Sequence, residues 1–158
     1  MTPDELLRLI DKSAAEQWTT LDVAGQGVDE LPPEIGKLTN LKTLLLGRWD
    51  KKQSKSLGNN LKSLPDEIGQ LVELRSLFLV GYSLETLPES LCKLRKLKSL
   101  NIRNNQLKEL PEEIGQLSNL RILALQDNQL SELPKSVGKL VNIETLNIHS
   151  NRLENGQR

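Results

Sequence analysis

Residues 97–142 consist of two consecutive copies of one pattern, LKSLNIRNNQLKELPEEIGQLSN at 97–119 and LRILALQDNQLSELPKSVGKLVN at 120–142. The two copies are 23 residues apart, and a third copy begins at Leu74. Self-similarity at a fixed period of this length is typical of solenoids, in which each repeat forms one coil and contacts mainly its neighbours. The repeat therefore predicts the architecture before any single helix or strand is assigned.

Extending the pattern in both directions divides most of the chain into repeats. They start at Trp18, Leu41, Leu74, Leu97, Leu120 and Ile143. The spacing is 23 residues except for the second repeat, which is 33 residues long and so carries an insertion of ten. The sixth repeat is incomplete, because no Leu-Pro step follows Leu153. We expect an N-terminal capping segment at 1–17 and a repeat domain at 18–158, with the insertion at about 48–57.

Each part of the pattern Leu-x-x-Leu-x-Leu-x-x-Asn-x-Leu-x-x-Leu-Pro-x-x-Ile-Gly-x-Leu-x-x has a structural reason. Leucines at the fourth and sixth positions alternate with other residues, as expected of a short strand with one buried face. Proline ends the strand side because it lacks an N–H, and the Ile-Gly-x-Leu segment returns the chain as a short helical turn. Asparagine at the ninth position can both donate to and accept from the turn backbone, so stacked copies should form a ladder. Its members are Asn59, Asn105, Asn128 and Asn151.

The segments LPPEIGKL at 31, LPDEIGQL at 64 and LPEEIGQL at 110 resemble those of leucine-rich repeat proteins. Within that family they are similar to the 23-residue class of Ras-associated scaffolds, plant intracellular Ras-group proteins and Roco-type GTPases, over residues 18–153. The opening AAEQWTTLDVAGQGVDELPPEIGKLTNLKTLLLG also looks like the start of bacterial Roco-type repeat domains. The resemblance implies an α/β right-handed solenoid with a curved parallel sheet on its concave side. It also implies helical or 3-10 turns on the convex side, and protein binding.

Four positions depart from the pattern or carry reactive side chains. Gln26 and Tyr82 replace the ninth-position asparagine; Gln26 could still make part of the ladder contact, whereas Tyr82 should distort the turn of the third repeat. Cys92 takes the place of glycine in the outer turn, and a small, partly buried side chain is favoured there over a catalytic thiol. His149 should be exposed at the edge of the sheet, and a single histidine makes neither a triad nor a metal site.

Residues 3–16 have the features of a helix start. Thr2 is the expected N-cap, Pro3 is at the first helical position and Glu5 completes a capping box. Apolar residues then recur at helical spacing, at Leu6, Leu7, Ile10 and Ala14. A partner-binding helix is one interpretation, but terminal repeats need a polar cap for solubility, so we favour a lid over the first coil.

The ten-residue insertion is strongly basic for a protein of zero net charge. It carries Arg48, Lys51, Lys52 and Lys55 against Asp50. We expect a projecting loop directly after the second strand. Trp49 could fold back onto the surface of a flexible loop, or the loop could hold a partner beside the sheet, since binding residues concentrate on loops carried by rigid scaffolds.

Positions three, five and seven of each repeat should form the concave face. Most are polar, but Leu45, Phe78 and Val80 should form an apolar cluster on neighbouring strands about 5 Å apart. Ile122 and Ala124 border this cluster. An apolar centre with a polar rim resembles a protein interface, although scattered exposed apolar residues are also normal. The predicted partner-binding residues are Leu45, Arg48, Trp49, Phe78, Val80, Asn101, Arg103, Ile122 and Ala124.

The charge balance of the chain argues against a nucleic-acid or membrane partner. Lysine and arginine number 21 and so do aspartate and glutamate, which removes the positive field that drives binding to nucleic acid or anionic membranes. No signal peptide or run of 18 apolar residues is visible, and one cysteine forms no internal disulfide. We expect a cytoplasmic, reducing location, with no nucleic-acid or membrane partner.

We expect a non-enzymatic scaffold that binds a protein partner through the concave face, with no catalytic residues, cofactor or metal. The resemblance adds small-GTPase signalling as a context. The alternatives are an enzyme, a structural spacer, or the regulatory repeats of a larger Roco-type GTPase or bacterial effector, although the chain has no G-x-x-x-x-G-K-[ST] loop of its own. The incomplete sixth repeat further predicts self-association or marginal stability at the C-terminal end.

Overall fold

The computed structural model describes residues 1–81 and 83–154 of the chain. Its secondary structure repeats the alternation that the sequence predicts, with strands on one side of each coil and 3-10 helices on the other. The strands are β1 (Thr20–Asp22), β2 (Thr43–Asp50), β3 (Lys55–Leu57), β4 (Ser76–Leu79), β5 (Ser99–Asn101), β6 (Ile122–Ala124) and β7 (Thr145–Asn147). The 3-10 helices are Pro33–Lys37, Asp66–Gln70, Glu89–Lys93, Ile114–Gln116 and Lys135–Lys139.

The strands form one parallel sheet in the order β1-β2-β4-β5-β6-β7. Equivalent repeat positions pair across the sheet, so that Leu77 is opposite Leu100 and Leu100 is opposite Leu123. These fourth-position leucines are fully buried. The repeat period therefore translates directly into stacked layers of leucine, which confirms the predicted leucine-rich repeat solenoid.

The asparagine ladder is present at each of the four positions named above. Asn128 illustrates its geometry: Oδ1 accepts from the backbone N–H of Leu107 at 3.1 Å, and Nδ2 donates to the carbonyls of Ile102 at 2.9 Å and Leu125 at 3.1 Å. Each asparagine thus joins its own coil to the preceding one. Because the side chain is buried, these bonds satisfy backbone groups that water does not reach. The distortion predicted around Tyr82 lies outside the described residues.

Helix α1 (Pro3–Ala15) begins with the expected capping box. The Thr2 side chain accepts from the backbone N–H of Glu5, and the Glu5 side chain accepts from the backbone N–H of Thr2. Leu6 and Ile10 are buried and belong to the same hydrophobic core as the repeats. The helix packs near the 3-10 helix of the first coil. Its apolar face is therefore used inside the fold, as a lid requires.

The insertion in the second coil is a β-hairpin and not an irregular loop. β2 continues beyond the sheet to Asp50, and its outer half pairs antiparallel with β3, with Trp49 opposite Ser56. A bulge at Leu46 shifts the pairing from Leu45–Phe78 to Gly47–Leu79. A bulge bends its strand, and here it turns the hairpin away from the regular path of the coil.

Candidate protein-binding site

Fifth-position side chains form the centre of the concave face. Leu45 is opposite Phe78, Phe78 is opposite Asn101 and Asn101 is opposite Ala124, each on the next strand of the sheet. All four are half-buried. Since neighbouring strands lie about 4.8 Å apart, the row presents an apolar centre at Leu45 and Phe78 with a polar neighbour at Asn101.

The structure moves one predicted residue out of the site. Val80 is 1% exposed, so the expectation that its side chain contributes to an open apolar cluster is wrong. The bulge at Leu46 brings the carbonyl of Gly47 to 3.1 Å from the backbone N–H of Val80, and Gly58, at the end of the hairpin, returns close to the Val80 carbonyl. The insertion therefore encloses the segment that a regular repeat would leave open.

The hairpin lies against the sheet through two contacts. Arg48 Nε donates to Asp22 Oδ2 at 3.0 Å, and Arg103 Cζ lies 5.7 Å from the centre of the Trp49 ring. Trp49 belongs to β2 and Arg103 follows β5, and β4 lies between these two strands, so this cation–π contact spans the width of one strand. Trp49 therefore folds back onto the surface, beside the predicted site, and the interpretation that the insertion holds a partner stays a prediction.

The remaining surface is open enough for a partner. Trp49 is 45% exposed and Ile122 is 42% exposed, while Arg48 and Arg103 are half-buried. We call this surface the concave patch. Its members are Leu45, Arg48, Trp49, Phe78, Asn101, Arg103, Ile122 and Ala124.

Two polar atoms at the edge of the concave patch have unused hydrogen-bonding capacity. Arg103 Nε and Gln126 Oε1 are buried, and neither has a hydrogen-bond partner within residues 1–81 and 83–154. They occupy the seventh position of adjacent coils, one as a donor and the other as an acceptor. A partner that brings polar atoms to this edge would offset the cost of leaving them unpaired.

The one cysteine and the one histidine of the chain lie in different environments. Cys92 is 2% exposed, and burial, aided by the negative charges of Glu89 and Glu113, raises the pKa of its thiol to about 11. His149 is exposed, with Nδ1 3.0 Å from Ser150 Oγ. In the part of the chain that is described, no three histidine, cysteine, aspartate or glutamate side chains are grouped as a metal site would require. None of its helices has the length and apolar character needed to cross a bilayer.

Cys92 should react slowly with alkylating reagents. At pH 8 a thiol with a pKa of about 11 is ionised in roughly one molecule in a thousand, against about a quarter for an unperturbed cysteine. We expect iodoacetamide to label the folded protein at least about a hundredfold more slowly than the urea-unfolded protein, as measured by mass spectrometry. Equal rates would show that the thiol is accessible and unperturbed.

Sequence reasoning based on positions three, five and seven overlooked the second position. Four consecutive coils place an exposed basic side chain there, at Lys42, Arg75, Lys98 and Arg121. We call these four residues the basic row. Aligning the repeats column by column would have revealed it.

The comparisons with known proteins agree with the repeat. The family model "Leucine-rich repeat region" matches residues 90–157. No curated protein is significantly similar to the chain in sequence. Among solved structures, a leucine-rich repeat protein of Leptospira interrogans is 34% identical with a TM-score of 0.63, and the match covers 91% of this chain but 44% of that protein.

Two plant receptors are also similar in structure. The ectodomain of the Arabidopsis thaliana receptor kinase GASSHO1/SCHENGEN3, in complex with CASPARIAN STRIP INTEGRITY FACTOR 2, is 32% identical with a TM-score of 0.63. That match covers 78% of this chain and 14% of the receptor. The plant peptide hormone receptor RGFR1, in complex with RGF2, has a TM-score of 0.73 at 24% identity, over 91% of this chain and 22% of the receptor. The chain therefore has the fold of leucine-rich repeat proteins.

Proposed function

We propose that this chain is a protein-interaction module that binds a partner protein on the concave patch. The observation that carries the proposal is the half-buried pair Leu45 and Phe78, with exposed Trp49 on the same strand as Leu45 and exposed Ile122 two strands beyond Phe78. Arginine and asparagine side chains surround this centre. Protein interfaces commonly have such an apolar core, enriched in aromatic residues and arginine, inside a polar rim.

Two further observations support a protein partner. The rigid sheet holds the centre of the patch in place, so little conformational entropy is lost there on binding. The GASSHO1/SCHENGEN3 ectodomain, which is 32% identical over the matched region, was solved in complex with a named partner. Binding by a leucine-rich repeat surface is thus a property of a similar protein, and we extend it to this chain.

The resemblance of the Leu-Pro-x-x-Ile-Gly segments to Ras-associated scaffolds supports a small-GTPase signalling context as the finer proposal. The second candidate is a regulatory repeat region of a larger Roco-type GTPase or bacterial effector, which the opening segment at 14–47 favours. Sequencing the natural reading frame past codon 158 tests the Roco-type candidate, because a GTPase requires a phosphate-binding loop in the same polypeptide.

Phe78→Ala is expected to weaken binding of the partner recovered from cell lysate by about tenfold to a hundredfold, or roughly 1–3 kcal/mol. The side chain is half-buried on the concave face, whereas Leu77 and Leu79 on either side are buried in the core. Removing the ring should therefore affect binding more than folding. Isothermal titration of the purified partner measures the affinity, and the melting temperature shows whether the variant keeps its stability.

Lys93→Ala is the matched control, since Lys93 is exposed on the convex 3-10 helix Glu89–Lys93. If this variant weakens binding as much as Phe78→Ala while both melt at the wild-type temperature, the partner binds the convex side.

A deletion of residues 49–57 tests whether the hairpin contributes to binding. Neutralising Lys51, Lys52 and Lys55 should mainly slow association and reduce its salt dependence, because exposed charges steer encounter more than they hold a complex.

We predict that the last described coil has low local stability. Leu146 is 40% exposed, whereas the equivalent Leu100 and Leu123 are fully buried. We expect amides of Leu146–Ile148 to exchange faster than those of Leu100–Ile102 in a monomeric sample, as measured by hydrogen exchange. Equal protection would show that this end is as stable as the centre.

The exposure of Leu146 also supports the proposal that two copies of the chain associate at this end. The contact would cover Leu146 and Val141, which is 81% exposed. Sedimentation velocity at increasing concentration tests this, and Leu146→Glu should abolish any dimer.

A cytoplasmic, reducing location also stays a proposal, which cell fractionation with an antibody would test.

A further inference from the structure

The backbone places the basic row at regular intervals along one edge of the sheet. The N–H of Arg75 donates to the carbonyl of Lys42, that of Lys98 to Arg75 and that of Arg121 to Lys98, each at 2.8 Å. The next residues, at the third position, are in register across β2, β4, β5 and β6. Because neighbouring strands are about 4.8 Å apart, the four side chains start from a line about 14 Å long.

A column of hydroxyl groups runs beside the basic row. In three consecutive coils the third position is Thr43, Ser76 or Ser99, and all three are half-buried at the border of the concave face. A hydroxyl can donate to an anion, and a neighbouring cation adds charge to the interaction. Each second-position cation is followed by a third-position hydroxyl in three consecutive coils. This edge therefore has three similar groups of hydrogen-bond donors, one at each of β2, β4 and β5.

The opposite flank of the solenoid carries the opposite charge. Positions twelve and thirteen, which follow the asparagine ladder, hold five exposed carboxylates against two exposed lysines, Lys62 and Lys108; the carboxylates are Asp29, Glu30, Glu85, Glu109 and Glu132. The zero net charge of the chain therefore conceals two flanks of opposite sign. An anionic ligand would be attracted to one flank and repelled from the other, which gives its approach a direction.

A carboxylate of the protein itself already lies in the field of the basic row. Glu73 accepts hydrogen bonds from Lys96 Nζ at 2.7 and 2.9 Å. The hydrogen bond and charge of Lys96 lower the pKa of Glu73, and the charges of Arg75 and Lys42 lower it further. The edge thus stabilises an ionised carboxylate at the protein surface.

We propose that the basic row, with its column of hydroxyls, is a second interaction surface that binds an acidic, extended segment of a partner protein. An extended peptide advances about 3.4 Å per residue, so five residues span about 14 Å, the length of the row. Because side chains alternate between the two faces of an extended chain, the first, third and fifth carboxylates of such a segment would face the four cations. This surface is separate from the apolar centre at Leu45 and Phe78.

The surroundings favour an acidic peptide over a nucleic acid or an anionic membrane. Nucleic-acid strands are usually bound by cationic grooves with aromatic residues on which bases stack, and neither the basic row nor the hydroxyl column contains an aromatic residue. The row is one residue wide, and the carboxylates on the opposite flank would repel a polyanion or a charged bilayer large enough to extend to them. A short segment avoids that repulsion because it covers only the row.

The test uses a fluorescent peptide of five consecutive glutamates flanked by Gly-Ser, with the glutamine version as its control. Anisotropy at low salt should show binding of the glutamate peptide only, and the affinity should fall as added salt screens the charges. The triple variant Lys42→Gln, Arg75→Gln, Lys98→Gln should bind about tenfold more weakly. Phe78→Ala should leave this binding unchanged, which separates the result from that of the concave patch.

The matched control is Lys62→Gln, Lys108→Gln, Lys135→Gln, which removes the same charge from exposed positions outside the basic row. It should change the affinity by less than about twofold. Equal losses in the two triple variants would overturn the proposal, because overall charge would then explain the binding. Equal binding of the glutamate and glutamine peptides, or tighter binding of single-stranded DNA or phosphatidylserine vesicles than of the glutamate peptide, would also overturn it.

Discussion

Gly47→Ala is expected to destabilise the fold by about 3 kcal/mol or more. A methyl group at this position would overlap the backbone carbonyl of Val80, the residue that directly follows β4. A backbone carbonyl has no rotamer by which to move, so the segment after β4 must shift away from β2 to admit the methyl group. Overpacking against fixed neighbours costs about 1–3 kcal/mol and sometimes more, and a backbone clash belongs at the upper end.

Gly138→Ala is the matched control because nothing lies within 4 Å of the added methyl group. Its effect should be neutral or slightly stabilising, since alanine restricts the unfolded chain more than glycine does. Urea unfolding, monitored by circular dichroism, compares the free energies of unfolding of the two variants. A Gly47→Ala protein as stable as Gly138→Ala would show that the bulge at Leu46 and the close approach of β2 to Val80 are wrong.

Asn128→Ala is expected to lower the free energy of unfolding by about 3–5 kcal/mol. The substitution removes the acceptor of the buried Leu107 N–H, and one of the two asparagine donors to each of the carbonyls of Ile102 and Leu125, which Asn105 and Asn151 still contact. Leaving the buried N–H without a partner costs roughly 1–3 kcal/mol, and each of the two other lost bonds contributes about 1 kcal/mol. The loss should affect two coils together, because the asparagine joins them.

Asn119→Ala gives the comparison, since Asn119 is exposed and donates to the carbonyl of Arg95 at 2.6 Å. Water can replace that bond, so we expect a loss of less than about 1 kcal/mol. Chemical denaturation of both variants measures the difference. Similar losses would mean that the ladder contributes no more than an ordinary surface hydrogen bond.

The repeat made most of the fold predictable, because each coil meets the same physical requirements as its neighbours. Leucine alternation predicted the buried face of every strand from β4 to β6, and asparagine chemistry predicted the bonds that Asn105 and Asn128 make. The capping box at Thr2 and Glu5 was predictable because it depends on residues three apart. Periodic and local signals were sufficient in these cases.

The environment of Val80 was not predictable from its position in the repeat. Its burial depends on a bulge at Leu46 and on the path of the inserted hairpin, and neither follows the 23-residue period. The pairing of Trp49 with Ser56 also has no precedent in the other coils. An insertion has no neighbouring copy to constrain it, so the part of the concave patch closest to it was the part that sequence reasoning described least well.

The basic row was missed for a different reason. Its residues are visible in the sequence, but attention to positions that face the concave side excluded the second position. The total charge of zero also concealed the separation of charges between the two flanks. The shared second position of these residues was visible in the sequence, and the backbone bonds between coils give the spacing of Lys42, Arg75, Lys98 and Arg121 along the line.

Site-specific photo-crosslinking tests the central claim, that a partner protein binds the concave patch, most directly. Benzoylphenylalanine placed at position 78 lies at the centre of the patch, and the same group at position 93 lies on the convex side. We predict that irradiation in lysate joins a discrete protein to the probe at 78 but not at 93, and that excess unlabelled wild-type protein, but not Phe78→Ala, competes for it. Cross-linking of the competed protein from position 93 alone would contradict the account.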